Sequence, residues 1–406
     1  MPSSRRRVLF IASAYPRYEG DVITPWLGAT IAQLRDARVD VEVLAPAYHG
    51  LADQTIDGVR VHRFRYAPAK WEMLSHDHPI PWQLNERPIR AALVPGYVAA
   101  SAIAATRLTA GHRFDVVHAF WPLPHAIAGI AARRVSGTPL VSTFFGAELH
   151  WLVRKHGWAR AAVRAIVHES EVVTAISEHT ATELRSVAPS ARPLVIPFGA
   201  AITPPTSHAP ARTPFAEQPA RFLFVGRLVA RKGVDVLIEA LARIDARAAH
   251  LTIVGDGAER ARLEALVTSL GLAARVRFTG YVPQDALEQQ LRACDAFVLP
   301  AVTDEVAGTE GLGVALIEAL SYERPVIASR AGGIPDVVRH EHTGLLVPPG
   351  DVEALAAAMR RFIDEPSFAR TLGAQGRADV EDRFSWPRIV DALKSVYEDA
   401  ISRRAR

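Results

Sequence analysis

The chain has 406 residues, 49% of them apolar and 22% charged, a balance that excludes a disordered chain and is long enough for two or three cores. The net charge of +4 is dispersed, with no long basic run and no zinc-finger spacing, which excludes nucleic acid as a partner. A single cysteine, Cys294, excludes an intrachain disulfide and fits a reducing cytosol, and no apolar run reaches about 18 residues, so no bilayer span is expected.

Arg5, Arg6 and Arg7 followed by VLFIASAYP (8–16) imitate a secretion signal, but the apolar run is short and ends on Tyr15-Pro16. A buried first strand is the expectation. TPWLGATIAQLRDA (24–37) has helical spacing and VDVEVLAP (39–46) reads as a strand, giving a strand–helix–strand unit. Between them PRYEGD places Gly20 at the carboxyl end of the first strand, where doubly wound sheets bind ligands. One glycine does not make the G-x-G-x-x-G fingerprint. GVRVHRFRYAP (58–68) alternates as a further strand, and 69–88, with Trp71, Met73 and Trp82, reads as irregular. Its tryptophans are expected under a loop, with a membrane interface or an acceptor as the alternative.

FDVVHAFW (114–121) is predicted as a buried strand ending on His118, so that the imidazole would sit at the ligand side; PLPHAIAGIAARR follows as a helix. PLVSTFFGAEL (139–149) carries Gly146 and Glu148 at its tip. EVVTAISEHTATEL (171–184) offers Ser177 as a helix N-cap, and PLVIPFGA (193–200) closes the half. Strands alternating with helices imply a parallel sheet covered on both faces. From Ala200 to Ala220 the proline-rich, aperiodic sequence reads as a linker.

The alternation then restarts. Strands are predicted over 221–228, 250–257, 275–282, 295–301 and 325–338, with helices over 235–244, 259–270, 285–294 and 351–364. Arg227 and Lys232 follow the first of these strands, placed to neutralise a diphosphate; a surface pair beside a helix start is the plainer alternative. In TEGLGVALIEAL (309–320), Gly311 and Gly313 stand where a loop enters a helix, and unpaired N–H groups there attract phosphate or sugar oxygens. Helical side chains lean toward the N-terminus, so Glu310 and Glu318 are expected to face one ligand. A capping Glu310 and a solvated Glu318 remain open on spacing alone. The segment 385–406 is predicted as a helix with Ile389, Val390, Leu393, Val396 and Tyr397 on one stripe, long enough to pack away from the second half.

VGRL with Arg231-Lys232-Gly233, VGDG (254–257), TGYV (279–282), the glutamates at 310 and 318, and AGGIPDVV with TGLLVPPGD (331–351) occur in order. With DVVHAFW, STFFGAEL, AISEHT and VIPFGA in the first half, the chain resembles glycosyltransferase family 4 over nearly its whole length. The resemblance implies an α/β fold of two Rossmann-like doubly wound parallel-sheet domains facing a cleft, the GT-B type. The boundaries expected are an acceptor domain over 1–200, a linker over 201–220, a nucleotide-sugar domain over 221–384 and a helix over 385–406 that crosses back.

It further implies that Arg227 and Lys232 bind the donor phosphates, with Gly20 and Asp256 on the donor side. Tyr281 and Val282 would hold the base, Glu318 the ribose, and Glu310 with Gly311, Leu312 and Gly313 the transferred sugar. His118 would be the catalytic histidine over that sugar, with Gly146 and Glu148 on the acceptor side. No metal and no cofactor is implied. Three departures stand out: Phe145 replaces a histidine common in relatives, Tyr322-Glu323-Arg324 replaces small residues before Pro325, and Gly20 is a lone glycine.

The function expected is therefore a cytoplasmic, hexosyltransferase-like retaining enzyme, with a peripheral place at the inner face of the membrane as the alternative. It would move a sugar from a UDP or GDP sugar to a glycan or lipid-linked acceptor in cell-envelope or exopolysaccharide synthesis. A sugar-nucleotide epimerase or phosphorylase of the same plan, or a non-catalytic sugar-nucleotide-binding scaffold, is the alternative.

Overall fold

The computed structural model of the chain describes residues 5–21, 23–76, 80–111, 113–146, 148–150, 153, 157–202, 213–216, 219–304 and 308–404. The chain forms two compact units, Met1–Phe198 with Trp386–Arg406, and Gly199–Ser385. Most of the proline-rich stretch from 201 to 220 lies outside the described residues.

In the first unit the described strands are β1 (Arg6–Ile11), β2 (Val39–Pro46), β3 (Gln54–Ile56), β4 (Val59–Phe64), β5 (Val116–Phe120), β6 (Leu140–Phe144), β7 (Val172–Ala175) and β8 (Leu194–Val195). They make one sheet in the order β3-β4-β2-β1-β5-β6-β7-β8, parallel except where β3 pairs antiparallel with β4. The VLFI run that imitates a signal is the central strand. Val8, Leu9, Phe10 and Ile11 have no exposure, because a parallel strand covered by helices on both faces must be apolar at every position rather than at alternate ones. Ser177 caps the helix Glu178–Val187 as its sequence predicts, its Oγ accepting the Thr180 N–H at 3.1 Å.

Three long helices have no counterpart in the sequence reading, Val94–Thr109, Gly157–Glu169 and Pro366–Arg383, and two short ones, Ile80–Glu86 and Ile334–Val337, form where the sequence reads as irregular and as a strand. The first buries Tyr97, Ser101, Ala105 and Thr109 at a spacing of four against the helix Pro122–Ser136. A stripe made of Tyr, Ser, Ala and Thr carries little hydrophobic contrast, which is why its period is hard to read. The stretch Pro88–Thr109 is also long and apolar enough to cross a membrane by length and composition, the exception to the expectation that no such run exists. Trp71, expected under a loop, is 52% exposed. The side chain of Trp82 lies outside the described residues.

In the second unit β9 (Ala220–Val225), β10 (Ala249–Val254), β11 (Val276–Gly280), β12 (Ala296–Leu299), β13 (Val326–Ser329) and β14 (Leu345–Val347) form a parallel sheet in the order β11-β10-β9-β12-β13-β14. The order runs outward from β9 to β11, then returns to β12 on the other side of β9. The loops after β9 and β12 therefore diverge above and leave a crevice at the carboxyl ends, where such sheets take ligands. In the first unit the same reversal falls between β1 and β5.

Candidate active site

The second unit's crevice is set by backbone packing. Gly255 follows β10 with φ 125°, and a Cβ there would lie 2.0 Å from the Gly226 carbonyl oxygen, so only glycine lets the two loops touch. The Leu228 N–H then donates to the Asp256 carbonyl at 2.9 Å, fixing the direction in which Arg227 leaves β9. Beyond it a 3-10 turn, Ala230–Lys232, carries Arg231 and Lys232. On the β12 side Gly332, with φ 55°, would place a Cβ 2.0 Å from the Glu310 carbonyl oxygen, and the Gly333 N–H donates to that oxygen at 2.9 Å. The AGG segment thus holds the Glu310 backbone from behind.

These two supports bring three charges together. Lys232 Nζ lies 2.5 Å and Arg231 Nη1 3.1 Å from Glu310 Oε2, and Arg231 Nη1 also reaches the Thr309 carbonyl at 3.4 Å. Glu310 is 9% exposed. Burial alone would raise its pKa, but Lys232 and Arg231 outweigh that and hold it down to about 2, so it is ionised at neutral pH. Burial draws the Lys232 pKa down against the pull of Glu310. Arg227 is exposed, and its guanidinium has neither a hydrogen bond nor an ion pair among the described residues. The cluster therefore holds three cations around one carboxylate, an excess suited to a dianionic group. Arg231 was not singled out from the sequence as a site residue. Its place beside Lys232 on a three-residue turn is the signal that finds it.

The other donor-side residues are arranged around this cluster with mixed engagement. Gly313 takes φ 85° as the cap of the helix Val314–Ser321, where the Leu316 N–H turns back to the Gly313 carbonyl at 2.8 Å and the N–H groups of Val314 and Ala315 have no partner within the helix. Leu312 is buried and Gly311 half-buried. Asp256 pairs with Arg260 at 3.3 Å and accepts the Gly257 N–H at 2.7 Å. Tyr281 is 60% exposed, with Val282 half-buried beside it.

Glu318 does not stand free for a ribose. Its carboxylate takes the backbone N–H groups of Ala201 and Ile202, while burial raises its pKa to about 7. The helix geometry that was to aim it at the ligand of Glu310 aims it instead at the stretch entering the linker.

In the first unit Gly20 lies exposed at φ 85° in a loop clamped by Arg17, whose Nε is 2.7 Å from Asp21 Oδ2. His118 is not at a strand tip. β5 runs on to Phe120, which leaves His118 in the middle of the strand with no exposure. Nε2 is 2.6 Å from Thr143 Oγ1, and Nδ1 is 3.0 Å from Tyr397 Oη on the helix Trp386–Arg404, which belongs to this unit. Burial lowers its pKa to about 3, so the ring is neutral. With both nitrogens engaged and no solvent exposure, His118 is a buried post that ties the last helix to the sheet, and the catalytic role expected of it is not supported.

The tips of β5 and β6 carry aromatics instead. Phe145 stacks on Trp121 at 4.3 Å between ring centroids, and Trp26 lies 5.3 Å from Phe145 and 4.1 Å from Phe198. Behind them Gly146 has φ 96°, and Glu148 is 5% exposed with Oε1 accepting the Phe145 N–H at 2.8 Å. Its Oε2 has no partner among the described residues, and burial raises its pKa to about 7.

Two parallel α/β units, each with its ligand loops at a strand-order reversal, and a cationic crevice in the second, define a GT-B glycosyltransferase. Residues 24–199 match the family described as "Glycosyl transferase 4-like domain" and residues 207–379 that described as "Glycosyl transferases group 1". The GDP-mannose-dependent alpha-(1-6)-phosphatidylinositol monomannoside mannosyltransferase of Mycolicibacterium smegmatis is 30% identical, over 81% of this chain and 88% of its own. Glycogen synthase of Mycobacterium tuberculosis is 29% identical over 96% and 94%. The chain belongs to glycosyltransferase family 4, and is a retaining enzyme that draws on a nucleotide-sugar donor and an acceptor. Among solved structures, sucrose-phosphate synthase from Thermosynechococcus elongatus superposes with a TM-score of 0.78 at 24% identity, covering 98% of this chain and all, 100%, of that one. Anabaena HepE in complex with UDP and glucose gives 0.70 at 20% identity, covering 97% and 99%.

Proposed function

We propose that the enzyme moves a hexose from a GDP or UDP sugar to a hydroxyl of a glycan or lipid-linked acceptor in envelope polysaccharide synthesis. The observation that carries the reading is the sharing of Glu310 between Lys232 and Arg231, with Arg227 unpaired beside them. In the absence of donor, Glu310 offsets part of the cationic charge. A diphosphate entering the crevice takes Arg227 and Lys232, and the first-turn N–H groups from Gly313 onward face the same group.

The bond from the anomeric carbon to the diphosphate oxygen breaks, and the acceptor oxygen bonds to that carbon on the same face. The acceptor proton passes to a donor phosphate oxygen, so no side chain need act as a nucleophile. Glu310 stabilises the positive charge that develops on the sugar, and the cations stabilise the leaving diphosphate. Glu318 reaches the ribose once its bonds to Ala201 and Ile202 are exchanged. Asp256, Tyr281 and Val282 border the base.

On the acceptor side the reading assigns Gly146, Glu148 and the aromatic wall of Trp26, Trp121 and Phe145, since aromatic faces pack against sugar rings. A lipid-linked acceptor agrees with the phosphatidylinositol named for the mycobacterial relatives and with the apolar, partly exposed stretch Pro88–Thr109, which suits peripheral membrane contact. The test is product analysis with purified enzyme, GDP-mannose or UDP-glucose, and a lipid extract as acceptor. A glycolipid heavier by one hexose supports the reading; nucleotide released with no new glycoside contradicts it.

A further inference from the structure

The first unit contains a buried cation that no carboxylate pairs. Arg63, at the carboxyl end of β4 beside Ala45 of β2, is 6% exposed. Its Nη2 donates to the carbonyls of Tyr15 and Pro16 under the loop that carries Gly20. Its Nε and Nη1 have no partner among the described residues. A guanidinium does not shed its proton near neutral pH, and a buried charge is otherwise found paired.

The acids within reach are already committed. Asp21 is held by Arg17 through Nε at 2.7 Å and Nη2 at 3.2 Å. Asp53 takes the Arg63 backbone N–H at 2.7 Å and faces His62 at 3.4 Å. Glu72 binds Arg65 at 2.6 Å and the Gly50 N–H at 2.9 Å.

Beside Arg63 lies His76, also 6% exposed, with its Nε2 unpartnered and the ring kept neutral by burial and by Arg63 and Arg17. The Tyr48 ring is 5.0 Å from that of His76, and Arg17 sits over Tyr48 at 5.3 Å. These two residues are partly exposed and form a rim that carries a second cation.

We propose that Arg63 and His76 are the floor of an anion subsite, which takes a phosphate or carboxylate carried by the acceptor. The unspent guanidinium N–H groups of Arg63 ask for an oxygen-rich group, the imidazole beside them can donate to it in the Nε2–H tautomer, and the uncompensated charge asks for a negative one. The assignment to the acceptor rests on the proposed function, in which the donor diphosphate is met by the second unit. The acceptor then belongs to the class of acidic glycans or phosphate-bearing lipids rather than neutral sugars.

The test uses the full chain with Arg227→Ala and Lys232→Met as host, so that the crevice of the second unit no longer binds simple anions. Inorganic phosphate and glucuronate are titrated by calorimetry and thermal shift, with glucose as the neutral control. The proposal expects at least one anion, and not glucose, to bind and raise Tm, with affinity falling tenfold or more when Arg63→Gln is added and less for Arg63→Lys. The anion that responds decides between phosphate and carboxylate. His76→Leu, which keeps Arg63, gives a second loss if Arg63→Gln does not fold. No anion response in the host, or an equal one with and without these changes, overturns the subsite. UDP and GDP binding is measured separately in Arg63→Gln with Arg227 and Lys232 intact. Unchanged binding keeps the acceptor assignment, whereas its loss would move Arg63 to the donor and overturn that assignment without touching the transferase reading.

Discussion

Glu310 and His118 both belong to segments at the strand-order reversal of their own sheet, Glu310 in the loop after β12 and His118 within β5, and their surroundings are opposite. Glu310 is charged, held by two cations, and lies at the rim of a crevice; His118 is neutral, held by two hydroxyls, and has no exposed surface. A residue that stores charge next to solvent can exchange its partners for a ligand. One sealed among hydroxyls and rings cannot do so without unpacking its neighbours. Proximity to the carboxyl edge of a parallel sheet therefore does not by itself make a side chain catalytic; a place in the loop beyond the strand rather than within it decides whether it can meet a ligand.

The largest effect that would sharpen this contrast is on chemistry. Glu310→Gln removes the charge with little change of shape, and kcat is expected to fall on the order of 10²–10³-fold, the loss seen when one preorganised electrostatic group is removed. Affinity for the nucleoside diphosphate should hold or rise, because Lys232 and Arg231 are freed. Equal losses in kcat and in diphosphate affinity would instead make Glu310 a structural counter-ion.

Lys232→Met comes next. Diphosphate binding is expected to weaken by about ten- to a hundredfold, or about 1.4–2.8 kcal/mol. The fold should lose less than the roughly 3–5 kcal/mol of a fully broken buried pair, because Arg231 stays on Glu310. Calorimetry and a denaturant titration separate the two.

The same pair fixes an acid limit. The Glu310 carboxyl is lowered from 4.5 to about 2 on folding, which corresponds to about 3 kcal/mol for the carboxylate alone. That stability is present above pH 4.5 and is lost as the pH falls toward about 2. Glu318 has the reverse sign. Its pKa is raised to about 7, so the protonated form suits the fold and stability declines as pH rises from 4.5 through about 7. Glu318→Gln should therefore raise Tm at pH 8 more than at pH 5, as read by a thermal-shift series.

The smallest effect expected is at the other end of the comparison. Tyr397→Phe leaves His118 Nδ1 without its hydroxyl and should cost about 1–3 kcal/mol of stability while kcat stays near that of the parent enzyme. A large fall in kcat at unchanged Tm would return His118 to the chemistry.

Much of the fold was legible because its strands are short apolar runs with glycine or proline after them and its helices alternate with them. β11 and β12 lie within the runs predicted for them, and β9 and β10 each begin one residue before theirs. What escaped were elements whose burial is carried by small or polar residues, such as Val94–Thr109, and β3, three residues long and antiparallel. In the site, spacing brought Lys232 and Glu310 forward but missed Arg231, since adjacent charges on a turn look like surface. It misplaced His118 by two residues, because a strand buried on both faces has no alternation to mark where it ends. The commitment of Glu318 to Ala201 and Ile202, and the orphaned guanidinium of Arg63, depend on contacts between distant segments that no local pattern encodes.

The most direct measurement is the binding of UDP and GDP to the wild-type enzyme, Lys232→Met and Glu310→Gln by titration calorimetry at one ionic strength. The account predicts that one nucleotide binds the wild type, that Lys232→Met weakens it at least tenfold, and that Glu310→Gln binds it as tightly or more so. Binding indifferent to Lys232→Met, or abolished by Glu310→Gln, would contradict it.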